Sequence, residues 1–426
     1  MGPEMTSIPF ILKAWLALTR LFAGPIAWFS AYFHRRMGAD PLRFSERLGK
    51  DLPDGREETI WFHAASLGEV RQIGPLAAQI SQASQAGVLI TTTTVAGAGW
   101  VAQAMPYAVH RYAPLDTPSA VKDFISGWSF SAAVFVEGDL WPRMLLELEK
   151  QDVPRILLNA RHSKTRLRFR QAFARLLGSF DCVTCRSEGI ADDMLALGLP
   201  KDRVHVLPDL RTTLPKLPVN PEFSRMLSQA IGERPHWLAA STHPADEDAV
   251  LNAHAEVLAS HPSALLILAP RHPRRGNDLA NMAGERGFTV ARRSLKVDVT
   301  AETQIYIVDT LGEMGSLFDQ APVAFLGGSI GKEGGHTPYE PASFGTAILY
   351  GPNVKNFTDA FAGLSDIGAA VQVPESDKLG AVLNGLMEGA RVREMGQAGL
   401  EYTEDGQGAL ARYVDLLSDV VDAGRE

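Results

Sequence analysis

The chain is poor in cysteine, in net positive charge and in long uncharged apolar runs. Only two cysteines occur in 426 residues, Cys182 and Cys185, too few for a disulfide framework or a four-thiolate zinc site. Alternating with Val183 in the strand-like run FDCVTC, they read as reduced core thiols. Lysine and arginine number 41 against 49 aspartate and glutamate, a net charge of −8, which argues against general nucleic-acid binding. The longest uncharged stretch near the amino terminus, residues 21–33, falls short of the roughly 20 residues a spanning helix needs. Internal repeats and low-complexity tracts are absent. What is present, 46% hydrophobic and 21% charged residues, describes a globular protein, and the length makes two domains the expectation.

The richest stretch is VAFLGGSIGKEGGHTPYEPASFGTAILYGP, residues 323–352. Its first four residues are apolar, partly β-branched and too few for a helix, so they read as a buried strand. Two glycine pairs follow, then His336, Thr337 and a helix start between Pro338 and Pro341 with Glu340 in its first turn. Strand, glycine loop and helix N-terminus predict an anion site whose free backbone N–H groups point at a phosphate. His336 adds a donor, and Glu340, acceptor-only when ionised, suits a pair of sugar hydroxyls. A tight βα turn with incidental polar residues is the other reading.

Taken in order, residues 8–33 are the most apolar part. Lys13 and Arg20, seven residues apart, share one helical face, and Gly24-Pro25 predicts a break or kink. No small-residue cleavage site precedes His34-Arg35-Arg36, and a helix lying in a membrane interface is the expectation, with Trp15 and Trp28 at headgroup level. From residue 59, strand-like runs at 60–64, 88–93, 132–136, 155–158 and 182–184 alternate with helical stretches, the pattern of a parallel sheet covered on both faces. Residues 207–221 (LPDLRTTLPKLPVNP) read as a linker. The alternation resumes at 236–240, 264–269, 305–308, 323–326, 347–350 and 370–373. The expected organisation is an α/β chain with a membrane-associated helical segment at 1–40, doubly wound Rossmann-like domains at 41–210 and 222–403, a linker at 211–221 and a closing helix at 404–426. Ligand is expected at the carboxyl ends of the strands, in a cleft the two domains share.

Several strand ends carry polar residues. In the second half, Ser241-Thr242-His243 ends one strand and leads into Asp246-Glu247-Asp248. Pro270-Arg271 places a guanidinium at another strand end, where bidentate phosphate contact is natural. Asp309 to Met314 ends a third, with Thr310 a candidate N-cap. In the first half, Glu69 follows a glycine at a strand-to-helix turn, where a carboxylate can take a proton from an attacking hydroxyl or simply favour the helix dipole. Glu137 and Asp139 form a second acidic strand end, with Asp139 also readable as a helix cap. Between Val153 and Phe180 no acidic residue occurs, whereas Arg155, Arg161, Lys164, Arg166, Arg168, Arg170 and Arg175 do, a run that favours an anionic surface or phosphorylated substrate.

Eight collinear motifs, HAASLGEV, TTTTVAGAGW, VEGDLWPRM, ILLNARHS, ASTHPADE, LAPRHPRR, VDTLGEMG and GGSIGKEGGHTPYEPA, resemble those of the 3-deoxy-D-manno-octulosonic acid (Kdo) transferases from about Phe44 to about Phe357. The resemblance implies a GT-B glycosyltransferase, with an acceptor domain, a nucleotide-sugar domain and a carboxy-terminal helix that crosses back. It implies the donor CMP-Kdo, an inverting transfer without metal or other cofactor, and a lipid A precursor as acceptor at the cytoplasmic face of the inner membrane. By position, Glu69 corresponds to a general base and Glu137 to a residue stabilising the transition state, while Arg211 stands where the family usually has lysine. Ser241, His243, Pro270, Arg271, Gly312, Glu313, Met314, Gly335, His336, Thr337, Pro338, Tyr339 and Glu340 correspond to the CMP-Kdo side. The family's Glu-Thr-Glu-Leu-Trp-Pro-Asn is here Glu137-Gly138-Asp139-Leu140-Trp141-Pro142-Arg143. Gly-Asn-Leu-Lys becomes Pro208-Asp209-Leu210-Arg211, and Gly-His-Asn-Pro becomes Gly335-His336-Thr337-Pro338. A related GT-B transferase using another nucleotide sugar, and a non-catalytic lipid or nucleotide binder on the same fold, are the alternatives.

Overall fold

The computed structural model describes residues 8–51, 58–84, 86–387 and 389–423; the first seven and last three residues of the expected terminal segments lie outside them. The chain divides into two units, residues 1–214 with 406–426, and residues 215–405.

In the first unit seven parallel strands, β1 (Glu58–His63), β2 (Gly87–Thr92), β3 (Ala108–Tyr112), β4 (Ser129–Val136), β5 (Arg155–Ala160), β6 (Cys182–Cys185) and β7 (Val204–Val206), form a sheet ordered β3-β2-β1-β4-β5-β6-β7. Successive residues alternate between faces. Trp61 and Phe135 pack with the helices Pro118–Ser126 and Pro142–Lys150 on one side, and Ile60, Phe62 and Val134 with Leu67–Ser84 on the other. Ala409, Tyr413, Leu417 and Val421 of the long helix Arg391–Ala423 complete that second face. Tyr413 anchors the helix by donating its hydroxyl to the carbonyl of Pro208 at 2.9 Å.

The second unit repeats the plan. Strands β8 (His236–Thr242), β9 (Leu265–Pro270), β10 (Val290–Arg292), β11 (Ile305–Ile307), β12 (Val323–Leu326), β13 (Ala347–Tyr350) and β14 (Ala370–Gln372) lie parallel in the order β10-β11-β9-β8-β12-β13-β14. Leu238 and Ala240 face one core, Trp237 and Ala239 the other. A sheet buried on both faces needs near-continuous apolar strands, which is why the central ones were readable. Strands β3, β7 and β10 escape that reading: at the sheet edges they are short and partly exposed, and Ala108–Tyr112 carries His110 and Arg111. In each unit the order reverses beside the first strand, between β1 and β4 and between β8 and β12. Such switch points leave a crevice at the carboxyl ends of the strands.

The amino-terminal segment breaks at a different place from the one expected. Two helices, Phe10–Leu21 and Ala23–Arg36, meet at 75°, and no single described helix is long and apolar enough to cross a membrane. The break falls at Phe22, not at Gly24-Pro25. Pro25 sits in the first turn of the second helix, where its missing N–H has no intrahelical partner to lose. The Trp15 indole N–H donates to Asp116 at 2.6 Å. Arg143 donates to the Leu16 carbonyl at 2.7 Å and the Thr19 hydroxyl at 2.9 Å, so one of the residues that departs from the family pattern ties this segment to the first sheet. Burial raises the Asp116 carboxyl above its ordinary range, against the donors from Trp15, Arg143 and Met144. The closing helix begins at Arg391, earlier than residue 404. Both cysteines are unbridged and buried, and burial pushes each thiol up to about 12.

Candidate active site

Two polar constellations occupy the switch points, one in each unit. In the first, β1 runs into the helix Leu67–Ser84 through Ser66. The Ser66 N–H donates to Glu69 Oε2 at 2.8 Å and the Glu69 N–H to Ser66 Oγ at 3.4 Å, a reciprocal cap that fixes the carboxylate over the strand end. Among the described residues no donor reaches the other oxygen, Oε1. Burial raises the Glu69 carboxyl above its ordinary range; the Ser66 N–H opposes this, and the Glu137 charge adds to it. The result is a partly desolvated carboxylate with one open oxygen, suited to accepting a proton.

Glu137 follows β4 directly on the far side of the switch point, buried, with a left-handed φ of +57°. A side chain held in that region cost about 1–3 kcal/mol of backbone strain, and such residues concentrate at functional sites. Its carboxylate pairs with Arg211, with Arg161 at 3.3 Å, and accepts from Gln72 Nε2 at 3.2 Å. Arg211 lies in a short turn, Leu210–Thr213, inside the stretch read as a linker. It also faces Asp209, which is buried and accepts from Asn159 Nδ2 at 3.0 Å. Burial works to raise Asp209, but Arg211 and Arg186 outweigh it and hold the carboxyl below its usual value.

Asp139 does not cap the helix Pro142–Lys150. It lies 3.1 Å from His63 Nε2, while His63 Nδ1 meets the Thr91 hydroxyl at 2.9 Å. The Asp139 carboxylate can only accept, so Nε2 carries the proton it donates, and Nδ1 accepts from the Thr91 hydroxyl, whose oxygen in turn accepts from Trp61 Nε1 at 2.8 Å. Burial works against the Asp139 charge, yet the His63 bond prevails and its pKa is lowered. This Trp61–Thr91–His63–Asp139 chain was not legible beforehand, because its members come from two strands and the loop after a third. The basic run also changes meaning: Arg161, Arg155 and Arg175 find Glu137, Asp181 and Glu149 from distant segments, and Arg166 is buried. Arg168 and Arg170 remain exposed.

In the second unit, Ser241 near the end of β8 takes φ +55°. His243 Nε2 meets His336 Nε2 across the switch point at 3.1 Å, with the rings stacked. Burial first, then the neighbouring His243 and Arg271, lower His336 to about 4, so at neutral pH it is an uncharged imidazole. Pro270 is buried at the end of β9, and Arg271 is exposed, with no carboxylate pairing with its guanidinium among the described residues. Thr337 and Glu340 are half-buried, and Pro338 and Tyr339 are buried, at the start of the short helix Tyr339–Ala342.

The glycine loop corrects an expectation in part. Four of its amides are engaged within the protein: Gly328 N–H donates to Asp246 Oδ2 at 2.7 Å, Ile330 N–H to Asp246 Oδ1 at 3.1 Å, and Gly334 and Gly335 N–H groups to the Gly328 carbonyl at 3.0 and 2.7 Å. Asp246 is fully buried and also accepts from the His243 N–H at 2.9 Å. The glycines at 334 and 335 take φ +92° and +79°, which lets the loop fold back upon itself. A buried carboxylate thus takes two of the amides a phosphate was expected to take, and it shapes the loop that presents His336. Thr310 likewise is not an N-cap. Its hydroxyl bonds the Glu313 carboxylate, which Arg293 also grips at 2.7 and 3.0 Å, so Glu313 is already engaged. Gly312 to Met314 follow β11, two strands from β8, while Ser241, His243, Arg271 and His336 cluster at β8, β9 and β12.

A family model described as 3-deoxy-D-manno-octulosonic-acid transferase (kdotransferase) matches residues 42–214. The 3-deoxy-D-manno-octulosonic acid transferase of Haemophilus influenzae is 31% identical over 375 residues, covering 85% of this chain and 87% of the relative. A probable mitochondrial 3-deoxy-D-manno-octulosonic acid transferase of Arabidopsis thaliana is 33% identical over 367 residues, covering 82% and 81%. The solved structure of a glycosyltransferase from Rickettsia africae matches 88% of this chain and 100% of its own with a TM-score of 0.56 at 10% identity, a likeness of fold alone.

Proposed function

This chain belongs to the Kdo transferase family of GT-B glycosyltransferases, and from that premise we propose that it transfers Kdo from CMP-Kdo to a lipid A precursor, with inversion and without a metal. The observation that carries the mechanism is Glu69: a carboxylate at a switch point, with one oxygen fixed by Ser66, the other open, and its pKa raised by burial. An acceptor hydroxyl attacks the anomeric carbon of Kdo, and Glu69 takes the hydroxyl proton as the new C–O bond forms. The bond from that carbon to the CMP phosphate breaks with its electron pair, and CMP leaves.

The leaving phosphate gains charge, and donors aimed at developing charge supply much of the stabilisation in such reactions. Arg271, unpaired with any carboxylate among the described residues, and the imidazoles of His243 and His336 are the groups that meet it. Glu137, held by Arg211 and Arg161, orders the acceptor side. The amino-terminal helices rest at the cytoplasmic face of the inner membrane in this proposal. Phe10 is 86% exposed and Trp28 73%, and Trp28 shares a surface hollow with Arg35 and Arg36, which suit anionic headgroups.

Mass spectrometry of the lipid product tests the proposal. Incubated with a lipid A precursor, the protein is expected to add one or more Kdo masses from CMP-Kdo and nothing from UDP-sugars. Absence of CMP release would refute it.

A further inference from the structure

Arg166 is 3% exposed, yet among the described residues no carboxylate pairs with it. Its Nη2 donates to the main-chain carbonyl of Glu137 at 2.9 Å and its Nη1 to that of Arg161 at 3.0 Å. A buried cation satisfied by carbonyls alone is an expensive arrangement. The two carbonyls belong to the residues whose side chains form the 3.3 Å ion pair of the acceptor-side constellation. The guanidinium therefore ties the main chains after β4 and β5 together behind that pair, at the point where Glu137 adopts its left-handed φ. Room for it comes from Gly138, since a Cβ there would fall well inside contact distance of Arg166 Nη2.

We infer that Arg166 is a positioning residue for Glu137, and that the missing side chain at Gly138 is what admits it. Its effect on turnover rests on the transferase reading; the positioning itself does not. Arg166→Lys, Arg166→Met, Gly138→Ala and the Gly138→Ala/Arg166→Met pair, made in the full chain, test it by CMP release from CMP-Kdo with a lipid A precursor. Melting curves report folding. Arg166→Met and Gly138→Ala are each expected to lower kcat roughly 10- to 100-fold, the scale of a small misplacement of a reacting group, with KM for CMP-Kdo changed less than about threefold. Arg166→Lys should recover part of the loss. The double variant should be no worse than the poorer single one, because both changes remove one shared contact.

Folded Arg166→Met with kcat within about threefold of the parent, or multiplicative losses in the double variant, would overturn the inference. Hydrogen exchange of the Arg166 guanidinium by ¹⁵N NMR gives a readout independent of turnover. Slow exchange in the parent and fast exchange in Gly138→Ala support the positioning even if the parent releases no CMP, a result that would count against the transferase reading instead. Fast exchange in the parent overturns the positioning.

Discussion

Replacing Asp246 with asparagine removes one acceptor from a site where three backbone N–H groups converge. Oδ2 takes His243 and Gly328, and Oδ1 takes Ile330. Asparagine keeps most by leaving its carbonyl in the Oδ2 position, which sets its NH₂ against the Ile330 N–H. One charge-assisted bond is lost there and a buried donor is left unmatched, about 2–4 kcal/mol in all, since bonds to charged groups contribute about 1.5–3 kcal/mol. The damage should be local: amides of the 327–335 loop exchange faster, His336 loses its fixed place opposite His243, and CMP affinity falls at least about tenfold, the equivalent of 1.4 kcal/mol. Hydrogen exchange resolved on peptides covering that loop, with calorimetric titration of CMP, measures both effects. Unchanged exchange at Ile330 together with CMP affinity within twofold of the parent would refute the claim that a carboxylate holds this loop in shape.

Trp15→Phe deprives buried Asp116 of its 2.6 Å donor and should lower stability by about 1–2 kcal/mol, with faster proteolysis after Arg20 as the checkable sign. Acid should destabilise the second unit through His254, which accepts from Trp237 at Nδ1, donates from Nε2 to the Gln304 carbonyl at 2.9 Å, and is lowered by burial to about 4. Between roughly pH 6.5 and 4 the unfolded chain binds the proton that the folded one refuses. Stability therefore falls across that window by up to about 3 kcal/mol and the loss levels off below it; melting temperatures from pH 7 to 4, with a flatter profile for His254→Gln, check this.

Much of the architecture was legible because buried parallel strands must be apolar throughout. Residues 323–326 and 347–350 coincide with β12 and β13 to the residue. Edge strands such as Val290–Arg292 were not, since one exposed side dilutes the pattern. The candidate residues Glu69, Glu137, Arg271 and His336 were singled out by their place in the segments that follow strands. What the sequence hid was pairing across distance. Nothing local ties Arg161 to Glu137, Asp246 to the amides of Gly328 and Ile330, or Arg166 to a glycine at 138. The free-amide expectation fails at Gly328 and Ile330 for that reason: the carboxylate that takes both lies 82 residues away from Gly328.

Steady-state transfer of Kdo by Glu69→Gln is the most direct test of the central claim. Glutamine can still accept the Ser66 N–H through its amide oxygen, so the helix start is preserved while the proton acceptor is gone. The expected result is a fall in kcat of about 10²–10⁴-fold, with CMP binding unchanged. Turnover within about threefold of the parent, at any pH where the parent is active, would contradict the account.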